Sequence, residues 1–180
     1  MKFLVVIDCQ IDFCTGALAN PEAEARIPAV IEKIKQKKAE GYTIIFTQDT
    51  HRENYMETLE GKKLPVPHCI LGTEGHKIVP EVLAAAGEGY YVIHKPTFGQ
   101  LELPDFMVEI AEEANEPIED IEIIGFVTSI CVAANAIILR AAFPNGPITV
   151  DMSCCAGLAK EDHEAARTIF ACQQIDTIGE

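Results

Sequence analysis

The sequence predicts an open α/β fold: a parallel sheet with helices on both faces. Three observations point there, namely short β-branched apolar runs, amphipathic helical stretches between them, and polar groups following the runs. The runs are "FLVVI" (3–7), "TIIFT" (43–47), "YYVI" (90–93), "IEIIGF" (121–126) and "ITVDM" (148–152). Apolar on both faces, they read as buried parallel strands. A short final strand falls near Asp176–Ile178.

Each interval supplies a helix. "PAVIEKIKQKKAEG" (28–41) has proline where a first turn tolerates it, Val30, Ile31 and Ile34 on one face, and Gly41 as terminator. "LPDFMVEIAEEAN" (103–115) repeats the pattern with Phe106, Met107 and Ile110. "FVTSICVAANAIILRAAF" (126–143) runs almost without charge from a strand end into a buried helix, with Cys131 at its first turn. "EDHEAARTIFACQQ" (161–174) gives the last helix, acidic at its start as the helix dipole favours. Residues 49–89 form a long polar segment rich in Gly, Pro and His. It should carry a short helix near 78–86 and wall one side of a pocket.

Composition narrows the function. A chain of 180 residues with no linker or repeat reads as one domain, 1–180. No apolar run reaches the roughly 18 residues of a membrane span. The start, "MKFLVVIDCQIDF", reads as a first strand and not a signal peptide, which implies a cytoplasmic address. A net charge of −14 argues against a nucleic-acid partner. The seven cysteines include no C-x-x-C pair, so most should be small buried hydrophobes.

In open α/β sheets, ligands bind beyond the carboxyl ends of the strands. Asp8, Asp49 with His51, and Lys95 follow the first three runs, and Cys131 comes five residues after the fourth. Each has a plain reading as turn former, solvated loop residue or core thiol. Together they make a nucleophile, an electrostatic activator and a general base. A helix start and a nearby ammonium would lower the thiol pKa, and backbone amides there can receive an oxyanion. Asp49, His51 and His68 form a carboxylate and two imidazoles suited to Zn²⁺, Fe²⁺ or Mn²⁺, or equally a surface histidine pair.

The stretches "VVIDCQIDFCTGAL" (5–18), "IIFTQDTH" (44–51), "PHCILGTEGHKIVPEV" (67–82), "VIHKPTFG" (92–99) and "IIGFVTSICVAANAIILRA" (123–141) resemble, in order, the isochorismatase-like cysteine hydrolases, and among them the nicotinamidase branch. The resemblance implies a three-layer α/β/α fold with a roughly six-stranded parallel sheet. It implies Asp8, Lys95 and Cys131 as the catalytic triad, and Asp49, His51 and His68 as ligands of a divalent metal, zinc foremost. It also implies a cis peptide between Phe126 and Val127, an oxyanion hole from the Val127 and Cys131 amides, and Phe13 and Phe126 beside the substrate. Such enzymes cleave small carboxamides to acid and ammonia and commonly form dimers or tetramers.

Two departures stand out. No tryptophan precedes His68, where Leu64, Pro65 and Val66 stand, and "DTHR" replaces the usual "DWHP". The fourth protein ligand is open among Asn54, Glu57 and Glu60. A pocket widened by the missing tryptophan also suits a carbamoyl or ureido amide. The adjacent Cys154 and Cys155, read as a loop pair after the fifth strand, leave room for a non-catalytic binding or redox module.

Overall fold

The computed structural model describes residues 1–179. Six strands form one all-parallel sheet: β1 (Lys2–Ile7), β2 (Thr43–Asp49), β3 (Tyr91–Lys95), β4 (Asp120–Phe126), β5 (Ile148–Ala156) and β6 (Asp176–Ile178). Their order is β3-β2-β1-β4-β5-β6. The chain therefore winds outward in one direction from β1 and then in the other from β4. Loops leaving the carboxyl ends of these two central strands diverge, and the crevice between them is where such sheets bind ligands.

Side-chain alternation along β1 divides the core. Phe3, Val5 and Ile7 face one layer, built by α5 (Leu103–Glu113), α6 (Ala133–Ala142) and α7 (Lys160–Cys172) through Met107, Leu139 and Phe170. Leu4 and Val6 face the other, where α2 (Pro21–Ala39) and α4 (Pro80–Ala85) bring Val30, Ile34 and Val82. Two short helices, α1 (Ile11–Cys14) and α3 (Leu59–Lys63), lie in the loops after β1 and β2. No helix among the described residues is long and apolar enough to cross a membrane.

Several boundaries differ from the sequence reading, each for a physical reason. The helix expected from Pro28 begins at Pro21, where the Asn20 side chain accepts a hydrogen bond from the Glu22 amide. Pro28 lies inside it on the exposed face, so the carbonyl it leaves free meets water. β3 is an edge strand and not a buried one, with Tyr91 and Val92 more than a third exposed. β2 and β3 run on through polar residues because backbone pairing continues through Gln48–His94 and Asp49–Lys95. β5 extends to Ala156, so Cys154 and Cys155 lie within the strand and not on a loop.

A buried ion network fixes α2 across the sheet. Lys33 Nζ lies 3.0 Å from Glu122 on β4 and 2.7 Å from Asp151 on β5, and Lys37 Nζ lies 2.6 Å from Glu122. Glu122 occupies the strand face that also carries Ile124 and Phe126, so its carboxylate is tolerated only because both lysines reach it.

The register shifts between Ile123 and Gly125, where β4 next pairs with Cys155. Gly125 has φ +121°, and a Cβ built there would stand 2.1 Å from the Ile7 carbonyl oxygen on β1. Gly125→Ala is therefore expected to lose roughly 2–4 kcal/mol of stability by urea unfolding, from backbone strain and overpacking together. A midpoint close to that of the parent protein would show that β1 and β4 do not need this close approach.

Candidate active site

The site forms where the loops after β1, β2, β3 and β4 meet. Asp8 directly follows β1 with φ +46°, a left-handed conformation that Asp adopts more readily than most residues. That turn aims its carboxylate along the sheet edge toward β2 and β3. Thr47 on β2 holds it, its hydroxyl donating to Asp8 Oδ1 at 2.6 Å and accepting from the Asp8 amide at 3.3 Å.

Lys95 closes β3 and is completely buried. Its Nζ lies 2.6 Å from Asp8 Oδ2, 3.6 Å from Asp49 Oδ1 and 3.6 Å from Cys131 Sγ, and donates to the Thr97 carbonyl at 3.1 Å. Burial alone would lower its pKa, but the charges of Asp8 and Asp49 outweigh burial and push it up. The ammonium stays charged.

Cys131 is not in the first turn of a regular α-helix. It lies in a wide π-type turn, Thr128–Val132, that precedes α6. The Val132 amide reaches back to the Val127 carbonyl at 3.2 Å, and the Asn135 side chain donates to the Cys131 carbonyl at 2.8 Å. Asn135 also accepts from the Gln100 amide at 2.9 Å, tying the turn to the loop that follows Lys95. The peptide between Phe126 and Val127 is cis. Thr128 hydrogen-bonds His163 of α7 at 2.8 Å.

The electrostatics correct one expectation. Burial first, then the charge of Asp8, pushes the Cys131 thiol well above its ordinary pKa, and Lys95 pulls the other way without winning. Asp8 itself is raised, because burial and the neighbouring Asp49 charge outweigh Lys95. Cys131 therefore rests as a thiol, not as a standing thiolate.

A second cluster adjoins the first through Asp49. Its Oδ2 lies 3.0 Å from His51 Nε2 and 3.5 Å from His68 Nε2. One ligand atom from each of the three residues falls within 4.8 Å of the others. His68 donates from Nδ1 to the Val66 carbonyl at 2.8 Å, which leaves the Nε2 lone pair facing the cluster. His51 Nε2 is buried and makes no hydrogen bond among the described residues. An orphaned imidazole nitrogen beside a carboxylate and a second imidazole fits a divalent metal.

Glu60, on α3, lies 3.6 Å from both His51 Nε2 and His68 Nε2, whereas Asn54 and Glu57 are exposed. Of the three fourth-ligand candidates, Glu60 is therefore the one in reach. Tyr55 packs on both imidazoles at 4.8 and 5.1 Å.

Residues that sequence reasoning missed hold the frame. Gln10 donates to the carbonyls of Asp49 at 2.9 Å and His76 at 2.7 Å, and accepts from the Asp49 amide at 2.7 Å. Asp12 accepts from the Cys69 amide at 2.7 Å and from Ala17 at 2.8 Å, pinning the His68 loop against α1. Gln10 and Asp12 stand in the polar string after Asp8, which is the only hint the sequence carries.

Phe13, Val127 and Cys131 line a cavity of about 610 Å³ together with Asp49, Glu60 and His68. Phe13 meets His68 edge-on at 5.6 Å. Phe126, expected beside the substrate, is fully buried in the α2-side core and does not line this cavity. Strand alternation turns its side chain away, so its place in the site is through the peptide to Val127. The same alternation puts Cys154 and Cys155 in opposite core layers, which separates the pair that a redox module would need together.

Comparison with known proteins bears on the fold and the family. A pyrazinamidase of Pyrococcus horikoshii, solved in complex with zinc, is 26% identical with a TM-score of 0.82, over 99% of each chain. A nicotinamidase/pyrazinamidase of Bacillus subtilis superposes with a TM-score of 0.84 at 21% identity, over 99% of this chain and 100% of that one, a likeness of fold alone. The nicotinamidase/pyrazinamidase of Mycobacterium tuberculosis is 26% identical over 94 residues, 51% of this chain and 50% of that protein. The match thus spans about half the length of that curated relative. An isochorismatase domain model, by contrast, matches residues 2–177, from the first strand to the last, and the chain belongs to the isochorismatase family.

Proposed function

We propose that this protein is a cysteine-dependent amidohydrolase that cleaves a small carboxamide to the acid and ammonia. The supporting observation is the buried contact set of Lys95, 2.6 Å from Asp8 and 3.6 Å from Cys131, at a cavity wall. The names of the Pyrococcus horikoshii and Mycobacterium tuberculosis relatives favour the same chemistry.

Asp8 takes the thiol proton as Cys131 Sγ attacks the amide carbon. Lys95 stabilises the negative charge that moves from carboxylate to sulfur. The carbonyl oxygen becomes an oxyanion facing the backbone amides of Val127 and Cys131. Asp8 returns its proton to the nitrogen, the C–N bond breaks, and ammonia leaves a thioester. Water then attacks the thioester carbon while Asp8 accepts its proton. The acid departs, and the proton returns to sulfur. Phe13 offers an aromatic wall to the acyl group.

Asp49, His51 and His68, with Glu60, would hold a divalent ion, zinc in the first instance. Its chemistry there is Lewis-acid polarisation of a coordinated oxygen or nitrogen. A single domain carries this whole reaction, and assembly into a homodimer or homotetramer belongs to the same reading. So does a reducing, cytoplasmic setting, which suits seven free thiols.

Cys131→Ala is expected to lower ammonia release from a responsive amide by roughly 10⁴-fold or more while circular dichroism stays unchanged. Retained turnover in a folded variant would exclude nucleophilic catalysis by this sulfur. Purified protein is expected to hold about one divalent ion per chain. Glu60→Gln should weaken that ion by roughly 10–100-fold in chelator competition, the range for a lost supporting carboxylate. Unchanged affinity would remove Glu60 from the metal shell.

A further inference from the structure

Resting on the amidohydrolase reading, we infer that the substrate is an uncharged carboxamide bearing an apolar group well beyond a single ring. The cavity that contains Cys131 measures about 610 Å³. That is room for on the order of twenty waters, and a lone ring carboxamide has fewer than half as many heavy atoms. It falls inside the roughly 300–1,000 Å³ range of sites that bury larger organic ligands.

The chemistry of the walls decides what fills the space. Away from Cys131 the lining is apolar, including Leu18, Leu64, Phe98, Ile130 and Leu158. Leu64, Phe98 and Leu158 are 38%, 49% and 63% exposed, so large apolar side chains stand open to water around the catalytic thiol. Exposed apolar surface gathered on a concave site marks ligand contact. Asn20 adds no free polar group, since its amide donates to the Gly157 carbonyl and accepts from the Glu22 amide.

Charge excludes the other classes. The lining contains no lysine or arginine, and its formal charges are the carboxylates Asp49 and Glu60. Lys95 lies behind them, saturated by Asp8 and Asp49. A divalent ion on the Asp49 cluster would bring two positive charges against those same two carboxylates and leave no excess. Nothing in the site compensates a substrate carboxylate, and a chain of net charge −14 repels anions at long range as well. Carbamoyl or ureido amino acids, which carry a carboxylate, therefore fit poorly.

The test is ammonia release by the intact protein across paired amides. Nicotinamide and benzamide are compared with para-phenyl and para-alkyl benzamides, and each extended amide with a counterpart ending in a carboxylate. The extended neutral amides are expected to exceed benzamide in kcat/KM by roughly tenfold or more, and their carboxylate counterparts to fall by a similar factor. Leu158→Lys, a change at an exposed position, should narrow the gap between neutral and carboxylate members. A flat or falling trend with apolar length, or preference for the carboxylate series, would overturn this inference. Ammonia release that disappears in Cys131→Ala would still uphold the catalytic reading in that case. No release from any member would overturn both.

Discussion

The candidate active site depends on one buried ammonium. Lys95 has no contact with solvent, yet it stays charged because the carboxylates of Asp8 and Asp49 lie against it. A lone buried cation would be strongly destabilising. Here the attraction of Asp8 and Asp49 offsets its desolvation, and in return it lets two acids lie near each other at the sheet edge. Without it, Asp8 and Asp49 would repel, and neither carboxylate could keep its place at the sheet edge.

Asp49 is the hinge between the two halves of the site. One oxygen faces Lys95 at 3.6 Å, and the other faces His51 and His68 at 3.0 and 3.5 Å. A change in charge at the His51–His68 cluster would therefore be felt at Lys95, and through Lys95 at Asp8 and the thiol. Gln10 steadies the joint by bonding both the amide and the carbonyl of Asp49. The raised thiol fits this arrangement: in the proposed reaction sulfur gains its negative charge only as Asp8 accepts a proton, so the pocket would not hold an extra anion at rest.

Much of this was legible in the sequence. The buried strands announced themselves through β-branched runs, and Asp8, Asp49, Lys95 and Cys131 through their places at or beyond the ends of those runs. What was not legible depends on backbone pairing and on loops folding against each other. β2 and β3 continue through Gln48 and His94 because the ladder continues, whatever the side chains prefer. Glu60 reaches His51 and His68 only once α3 folds back across the loop. Pro28 looked like a helix start because Asn20, the actual cap, precedes a stretch with little apolar periodicity. The inward turn of Phe126 follows from period-two alternation with Ile124 and could have been read directly.

The most direct test is a double-mutant cycle between Asp8→Asn and Lys95→Met, followed by equilibrium unfolding with the metal content held equal. Each single change takes a partner from a buried charge and should cost up to about 3–5 kcal/mol. The double variant should then lose clearly less than the sum of the two. Additive losses would mean that the ammonium and the carboxylate do not depend on one another, and would contradict this account of the site.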